Sequence, residues 1–185
     1  MATQLPEQPE RPRRRRPLLG LRETPGRLAL AVFRIPLRLY RRGWGWTLGR
    51  TFLLLVHTGR KTGRPHETVA MVLSDDPRTG EVVICSAWGP NADWVHNLHA
   101  GPAQEVHIGR DRFVPQHRFL TEDEAVSVAD TFRRRHPRRL WLLSKVLGWG
   151  DLRSDDNNVR LFVQRHPFVA LRPVHQGSND TEESR

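Results

Sequence analysis

Apolar and polar positions change rhythm several times along this chain, and each change marks an element. Thr51-Phe52-Leu53-Leu54-Leu55-Val56-His57 is an apolar run of strand length, too short to cross a bilayer. It enters Thr58-Gly59-Arg60-Lys61-Thr62-Gly63-Arg64-Pro65, a glycine-punctuated turn, after which Glu67 to Leu73 is again extended. Strand, turn and strand make a hairpin. Ser74 to Gly80 reads as a turn, Glu81 to Ala87 as a third strand, and Trp88 to Asn91 as a loop. Ala92 to Leu98 suits a short helix stopped by Gly101-Pro102. Gln104 to Gly109 and Arg112 to Leu120 alternate like paired strands around Gly109-Arg110-Asp111. Thr121 caps a helix with Glu122-Asp123-Glu124 in its first turn and Arg133-Arg134-Arg135 in its last; Pro137 ends it. A second helix, Leu140 to Leu147, stops at Gly148, and Val159 to Val174 reads as the final strand. About six strands in hairpin connection, with one short helix and one helical insertion, predict an antiparallel barrel rather than a Rossmann sheet.

Ahead of the barrel the pattern is different. Residues 1–23 carry Pro6, Pro9, Pro12, Pro17 and the run Arg13 to Arg16, and are expected to be a disordered basic arm. In residues 24–46, Thr24 and Pro25 open an amphipathic helix. Leu28, Val32, Ile35 and Leu39 lie on one side, and Arg27, Arg34, Arg38 and Arg41 on another. Pro36 interrupts it, and Trp44 and Trp46 close it. Cations, apolar residues and tryptophans together suit the surface of an anionic membrane. The barrel domain is then assigned to residues 47–175 and a polar tail to 176–185.

Charge sharpens this division. Residues 1–50 hold twelve arginines against three glutamates, whereas residues 51–185 hold eighteen basic and seventeen acidic residues. Nine of the ten net positive charges therefore lie in residues 1–50, the arm and the amphipathic segment that follows it. A nearly neutral domain has no nucleic-acid-binding face, so no nucleic acid is expected as a partner. The single Cys85 excludes an internal disulfide and a cysteine-based metal cluster; in an apolar strand it reads as an inert core thiol. No secretory signal pattern follows Arg11 to Arg16, and the expected location is cytoplasmic, with peripheral contact at the inner face of the cell membrane as the alternative that the amphipathic segment opens.

The chemistry concentrates in the first turn. Gly59 and Gly63 allow positive φ, which would turn amides toward an anion; Arg60 supplies a planar fork, Lys61 a point charge and Thr62 a hydroxyl. The spacing is not that of a Walker A loop, and no helix follows. His57 precedes this turn, and the sequence leaves open whether it faces a pocket or the far side of its strand. His96 and His99 have helical i, i+3 spacing but no recognisable third ligand, so no metal is expected. Asp155-Asp156 reads as a solvated loop pair.

Three segments, taken together, resemble the deazaflavin-dependent nitroreductase and quinone reductase family, oxidoreductases that use coenzyme F420. They are Leu53 to Pro65, Ile84 to Ala87, and Trp94-Val95-His96-Asn97-Leu98-His99-Ala100-Gly101-Pro102, and the resemblance extends over about residues 28 to 174. It implies a mainly-β split antiparallel barrel of the FMN-binding kind, with flanking helices. It also implies hydride transfer from reduced F420 to an organic acceptor such as a quinone or nitro compound. By that resemblance Arg60, Lys61 and Thr62 clamp the anionic tail of the coenzyme, while His66 and Thr68 line the deazaflavin. Ser86 and Ala87 face the redox ring, and Trp94 and Asn97 close the other side of the groove. Two departures stand out. His66 occupies a position where nitroreducing relatives tend to carry arginine. Those relatives also carry tyrosines in the helical insertion, where this chain has His136-Pro137-Arg138-Arg139-Leu140-Trp141 and its single tyrosine is Tyr40. Nitroreduction is accordingly disfavoured, and His136 is left as a candidate proton donor. A non-catalytic coenzyme-binding or membrane-docking module, and an FMN oxidoreductase on the same barrel, are the alternative readings.

Overall fold

The computed structural model describes residues 36–147 and 156–174. The expected arm of residues 1–23, the helix start at Thr24-Pro25, Asp155 and the 176–185 tail lie outside the described residues.

Seven strands form one sheet: β1 (Phe52–Thr58), β2 (Pro65–Asp75), β3 (Val82–Cys85), β4 (Ala103–Ile108), β5 (Asp111–Phe113), β6 (Pro115–Phe119) and β7 (Phe168–Pro173). Their order is β5-β4-β1-β2-β3-β7-β6, antiparallel at every step. The two edges curl together, β6 approaching β4, into a nearly closed barrel. Among the described residues, residues 36–41 are helical, and four further helices accompany the sheet: α1 (Asp93–Ala100), α2 (Glu122–Arg135), α3 (Pro137–Leu147) and α4 (Asp156–Arg165).

Period-two alternation explains the two cores. Val82 and Ile84 of β3, with Val169 and Leu171 of β7, point into the barrel beside Leu53 and Leu55. Their neighbours Val83, Cys85, Phe168 and Ala170 point outward and are covered by Phe132 of α2 and Phe162 of α4. A strand buried on both faces reads as a continuous apolar run, as β3 does. Burial pushes the Cys85 thiol up to about 12, which keeps it protonated at neutral pH.

Two expectations need correction. Val159 to Arg165 is not strand: α4 ends only at Arg165, and β7 starts at Phe168. Val159, Phe162 and Val163 are spaced i, i+3, i+4, and all three are buried, which is a helical stripe. Likewise Arg112 to Leu120 is not one strand. β5 pairs with β4, but β6 pairs with β7 at the opposite edge, and the chain crosses the seam at Val114. Pro115 has no amide to continue a ladder, and it sits opposite Pro173 at the end of the β6–β7 pairing. The described residues therefore hold seven strands. The α2 start is as expected, with a complete capping box between Thr121 and Glu124. Pro137 both follows α2 and opens α3, three residues before the expected Leu140.

β2 is longer than its partner β3. Its register shifts between Val72 and Ser74, a bulge, and β3 pairs with it only from Val72 onward. Residues 65–70 of β2 consequently have a strand neighbour, β1, on one side alone. That stretch of β2 is an open strand edge.

Candidate functional site: the β1–β2 turn and the open edge of β2

The turn at residues 59–64 is built largely from its own backbone. Gly59 N–H donates to Arg64 O at 2.8 Å, Thr62 N–H and Gly63 N–H donate to Gly59 O at 3.2 and 2.8 Å, and Arg64 N–H donates to Thr62 Oγ1 at 3.3 Å. These four amides are spent within the turn and form no open backbone nest. Of the turn's two glycines, Gly63 alone has positive φ, at 65°. Gly59 is needed for another reason: a Cβ there would lie 2.6 Å from the His66 ring and 2.9 Å from Thr62 Oγ1.

The three cations of the turn divide into two kinds. Arg60 Nη1 donates to Asp93 Oδ1 and to Asn97 Oδ1, each at 3.0 Å, and the Arg60 amide donates to the same Asn97 oxygen at 3.1 Å. Asp93 and Asn97 are i, i+4 on α1, so one helix face receives the turn. Lys61 and Arg64 are exposed, and their side chains have no ion-pair or hydrogen-bonding partner among the described residues. Arg60 therefore braces the turn against α1, while the Lys61 and Arg64 side chains point to no partner among the described residues.

Behind Asn97 the network continues inward. Asn97 Nδ2 donates to His57 Nδ1 at 3.1 Å, and His57 Nε2 lies 3.3 Å from Thr68 Oγ1. His57 is only 2 % exposed and follows Leu53 and Leu55 on the inner face of β1. Burial, and next to it the charge of His66, hold its imidazole below the ordinary histidine range; the Thr58 carbonyl and Asp93 oppose this. His66 is exposed and stacks 6.0 Å from the His57 ring. Thr68, half-buried, is one step further in on the same face.

Ser86 and Ala87 leave β3 on the side where β2 has no strand partner. The Ser86 hydroxyl, however, is fully buried and donates to Gly89 O at 2.6 Å; its carbonyl accepts from His166 Nδ1 at 2.7 Å. It ties the loop to the approach to β7. Trp94 is 6 % exposed and packs in the barrel core, and Asn97 is 5 % exposed. His136 caps the end of α2 with its ring 5.2 Å from Phe132. Among the described residues no group of three or more His, Cys, Asp or Glu is placed to hold a metal ion.

Three residues matter more here than their sequence pattern indicated. Arg64 lies in the quoted turn but has no assigned role there, Asp93 is missed, and His57 is left undecided. The alternation Leu53, Leu55, His57 carried the signal for His57. The i, i+4 pairing of Asp93 with Asn97 carried it for Asp93.

On the outside, the helical residues 36–41 lie against β1 and β2. Tyr40 Oη donates to Phe52 O at 2.7 Å and Arg41 Nε pairs with Glu67 at 2.7 Å. Burial pushes the Tyr40 phenol up to about 12. Trp44 and Trp46 are 60 % and 53 % exposed, with Arg110 over the Trp46 ring at 5.6 Å. No helix among the described residues is long and apolar enough to cross a membrane.

Solved structures similar to this chain include an F420-H2 dependent reductase, 17% identical, with 66% of this chain and 95% of that chain covered at a TM-score of 0.44. A heme storage protein from Vibrio cholerae is 14% identical, covering 74% and 91% at a TM-score of 0.44. A pyridoxamine 5'-phosphate oxidase-related, FMN binding protein from Nostoc punctiforme is 13% identical, covering 82% and 83% at a TM-score of 0.39. Residues 32–141, which take in the turn, the open edge of β2 and α1, match the family model for F420H(2)-dependent quinone reductase. That match spans more than half of the 185 residues, and the chain belongs to the F420H(2)-dependent quinone reductase family, oxidoreductases that work with reduced coenzyme F420.

Proposed function

We propose that this enzyme holds F420 along the β1–β2 turn and the open edge of β2, and passes its hydride to a quinone. The observation that carries the reading is the division among the turn cations. Lys61 and Arg64 stand without partners among the described residues, while Arg60 is engaged by Asp93 and Asn97. A polyanionic tail fits such a donor set, because both free groups make charge-assisted hydrogen bonds to phosphate or carboxylate. In this reading Lys61, Arg64 and the Thr62 hydroxyl hold the tail, and Arg60 with Asn97 keeps the turn in shape. His66 and Thr68 line the ring end of the groove, Ser86 and Ala87 form its far wall, and Trp94 supports α1 from the core. Bound there, the reduced coenzyme supplies a hydride that with one proton converts a quinone to a hydroquinone, the coenzyme leaving oxidised.

A quinone is preferred to a nitro compound because the α2–α3 junction offers His136 and no phenol. The exposed Trp44 and Trp46, beside Arg41, Arg42 and Arg110, support peripheral contact of this face with an anionic membrane, where apolar quinones reside.

Fluorescence titration with F420 tests the site. Each charge-assisted contact is worth about 1.5–3 kcal/mol, so Lys61→Ala with Arg64→Ala should weaken binding by about 100-fold or more. An unchanged dissociation constant removes the assignment. Absence of F420H2 oxidation by menadione above background removes the quinone.

A further inference from the structure

The relay behind the turn has a direction. Asn97 Oδ1 faces two groups that can only donate, the Arg60 amide at 3.1 Å and Arg60 Nη1 at 3.0 Å. This sets the amide orientation of Asn97, with Nδ2 toward His57 Nδ1 at 3.1 Å. Since Nδ2 also only donates, Nδ1 of His57 must be the bare nitrogen. A neutral imidazole then carries its proton on Nε2, which donates to Thr68 Oγ1 at 3.3 Å. A hydroxyl that accepts keeps its own proton to give. For that proton no acceptor is present among the described residues. Thr68 is half-buried where β2 has no strand on its second side, between exposed His66 and buried Ala70.

We propose that the Arg60–Asn97–His57 relay presents the Thr68 hydroxyl as a hydrogen-bond donor to a carbonyl oxygen of a molecule bound in the groove. The inference rests on the reading that F420 lies along this edge. Two carbonyl sources share the chemistry, the ring of the coenzyme and the quinone. On the coenzyme, the hydroxyl orients the ring. On the quinone, it stabilises negative charge developing on oxygen as hydride arrives at carbon. Thr68 is the contact residue, and His57 and Asn97 are positioning residues that set its polarity.

Thr68→Val removes the hydroxyl at nearly constant shape and suits a strand; Thr68→Ser restores it. Each variant is titrated with F420 by fluorescence, then assayed with F420H2 and menadione. One neutral hydrogen bond corresponds to about a 3- to 10-fold effect. Weaker coenzyme binding in Thr68→Val, with Thr68→Ser near wild type, assigns the donor to the coenzyme ring. An unchanged coenzyme affinity with kcat/KM for menadione reduced by that factor assigns it to the quinone. If Thr68→Val matches wild type in both, while Lys61→Ala still weakens F420 binding, the donor role is wrong and the groove assignment stands. A wild-type protein that binds no F420 removes both.

Discussion

Arg60 and Lys61 are neighbours in the turn with different surroundings, one engaged by α1 and one without a partner among the described residues, and substitutions should separate them. Arg60→Ala deletes the donor to Asp93 and Asn97, so it should lower the melting temperature as well as coenzyme affinity. Lys61→Ala should lower affinity alone, because its side chain has no partner to lose among the described residues. Equal melting temperatures in the two variants would contradict the bracing role. His57 makes a second prediction at this scale. Its ordinary value is 6.5, and burial lowers it in the native state. As pH falls through 6.5 the unfolded chain takes up a proton that the native protein refuses, so stability is full above that value and declines below it. His166 is shifted the same way, by burial first and by Arg165, against the pull of the Ser86 carbonyl. Melts from about pH 7.5 to about pH 5 should decline in wild type and decline less in His57→Gln. Equal slopes would rule out His57 as a source. Residue types in the turn are legible in sequence; partners are not. Arginine and lysine look equivalent there, and only the approach of α1 shows that one of the two is already engaged.

At the scale of elements, local rules held where one local force dominated. The α2 start is set by Thr121 and Glu124 through hydrogen bonds three residues apart, and Thr121→Ala should cost about 1 kcal/mol, read as a lower melting temperature. A change within error would mean that the cap is redundant with the packing of α2. Gly63 has φ of 65° with open space around its Cβ position, so Gly63→Ala should cost about 1–2 kcal/mol from backbone strain alone. The misread elements were those whose neighbours decide them. Val159 to Val163 is apolar enough for a strand, and the period that marks it as helix is short. The break at Val114 depends on which edge receives each half of the segment, and Pro115 alone does not say that β6 will travel to β7.

On the scale of the whole molecule, the helical residues 36–41 and the exposed Trp44 and Trp46 that follow them lie outside the barrel, so the proposed membrane contact and the proposed coenzyme site can be tested separately. Trp44→Ala with Trp46→Ala should reduce co-sedimentation with vesicles containing anionic lipid while leaving F420 affinity intact. Unchanged co-sedimentation of that variant would assign membrane contact elsewhere or to none of this face. Raised salt should weaken the arginine contribution more than the tryptophan contribution.

Spacing and alternation suffice for the hairpin with its cationic turn, the α2 cap and the barrel class, while the family is legible in sequence as a resemblance of three short segments. Each rests on residues close in sequence or on a period that survives without partners. The tertiary structure alone decided three things. It placed the seam at Val114, it opened the edge of β2 by ending the β3 pairing at Val72, and it brought Arg60, Asn97, His57 and Thr68 into one directed relay. Those residues come from the turn, α1, β1 and β2, up to 40 positions apart. Their hydrogen bonds exist only once the barrel has folded and excluded the water that would otherwise satisfy each group separately.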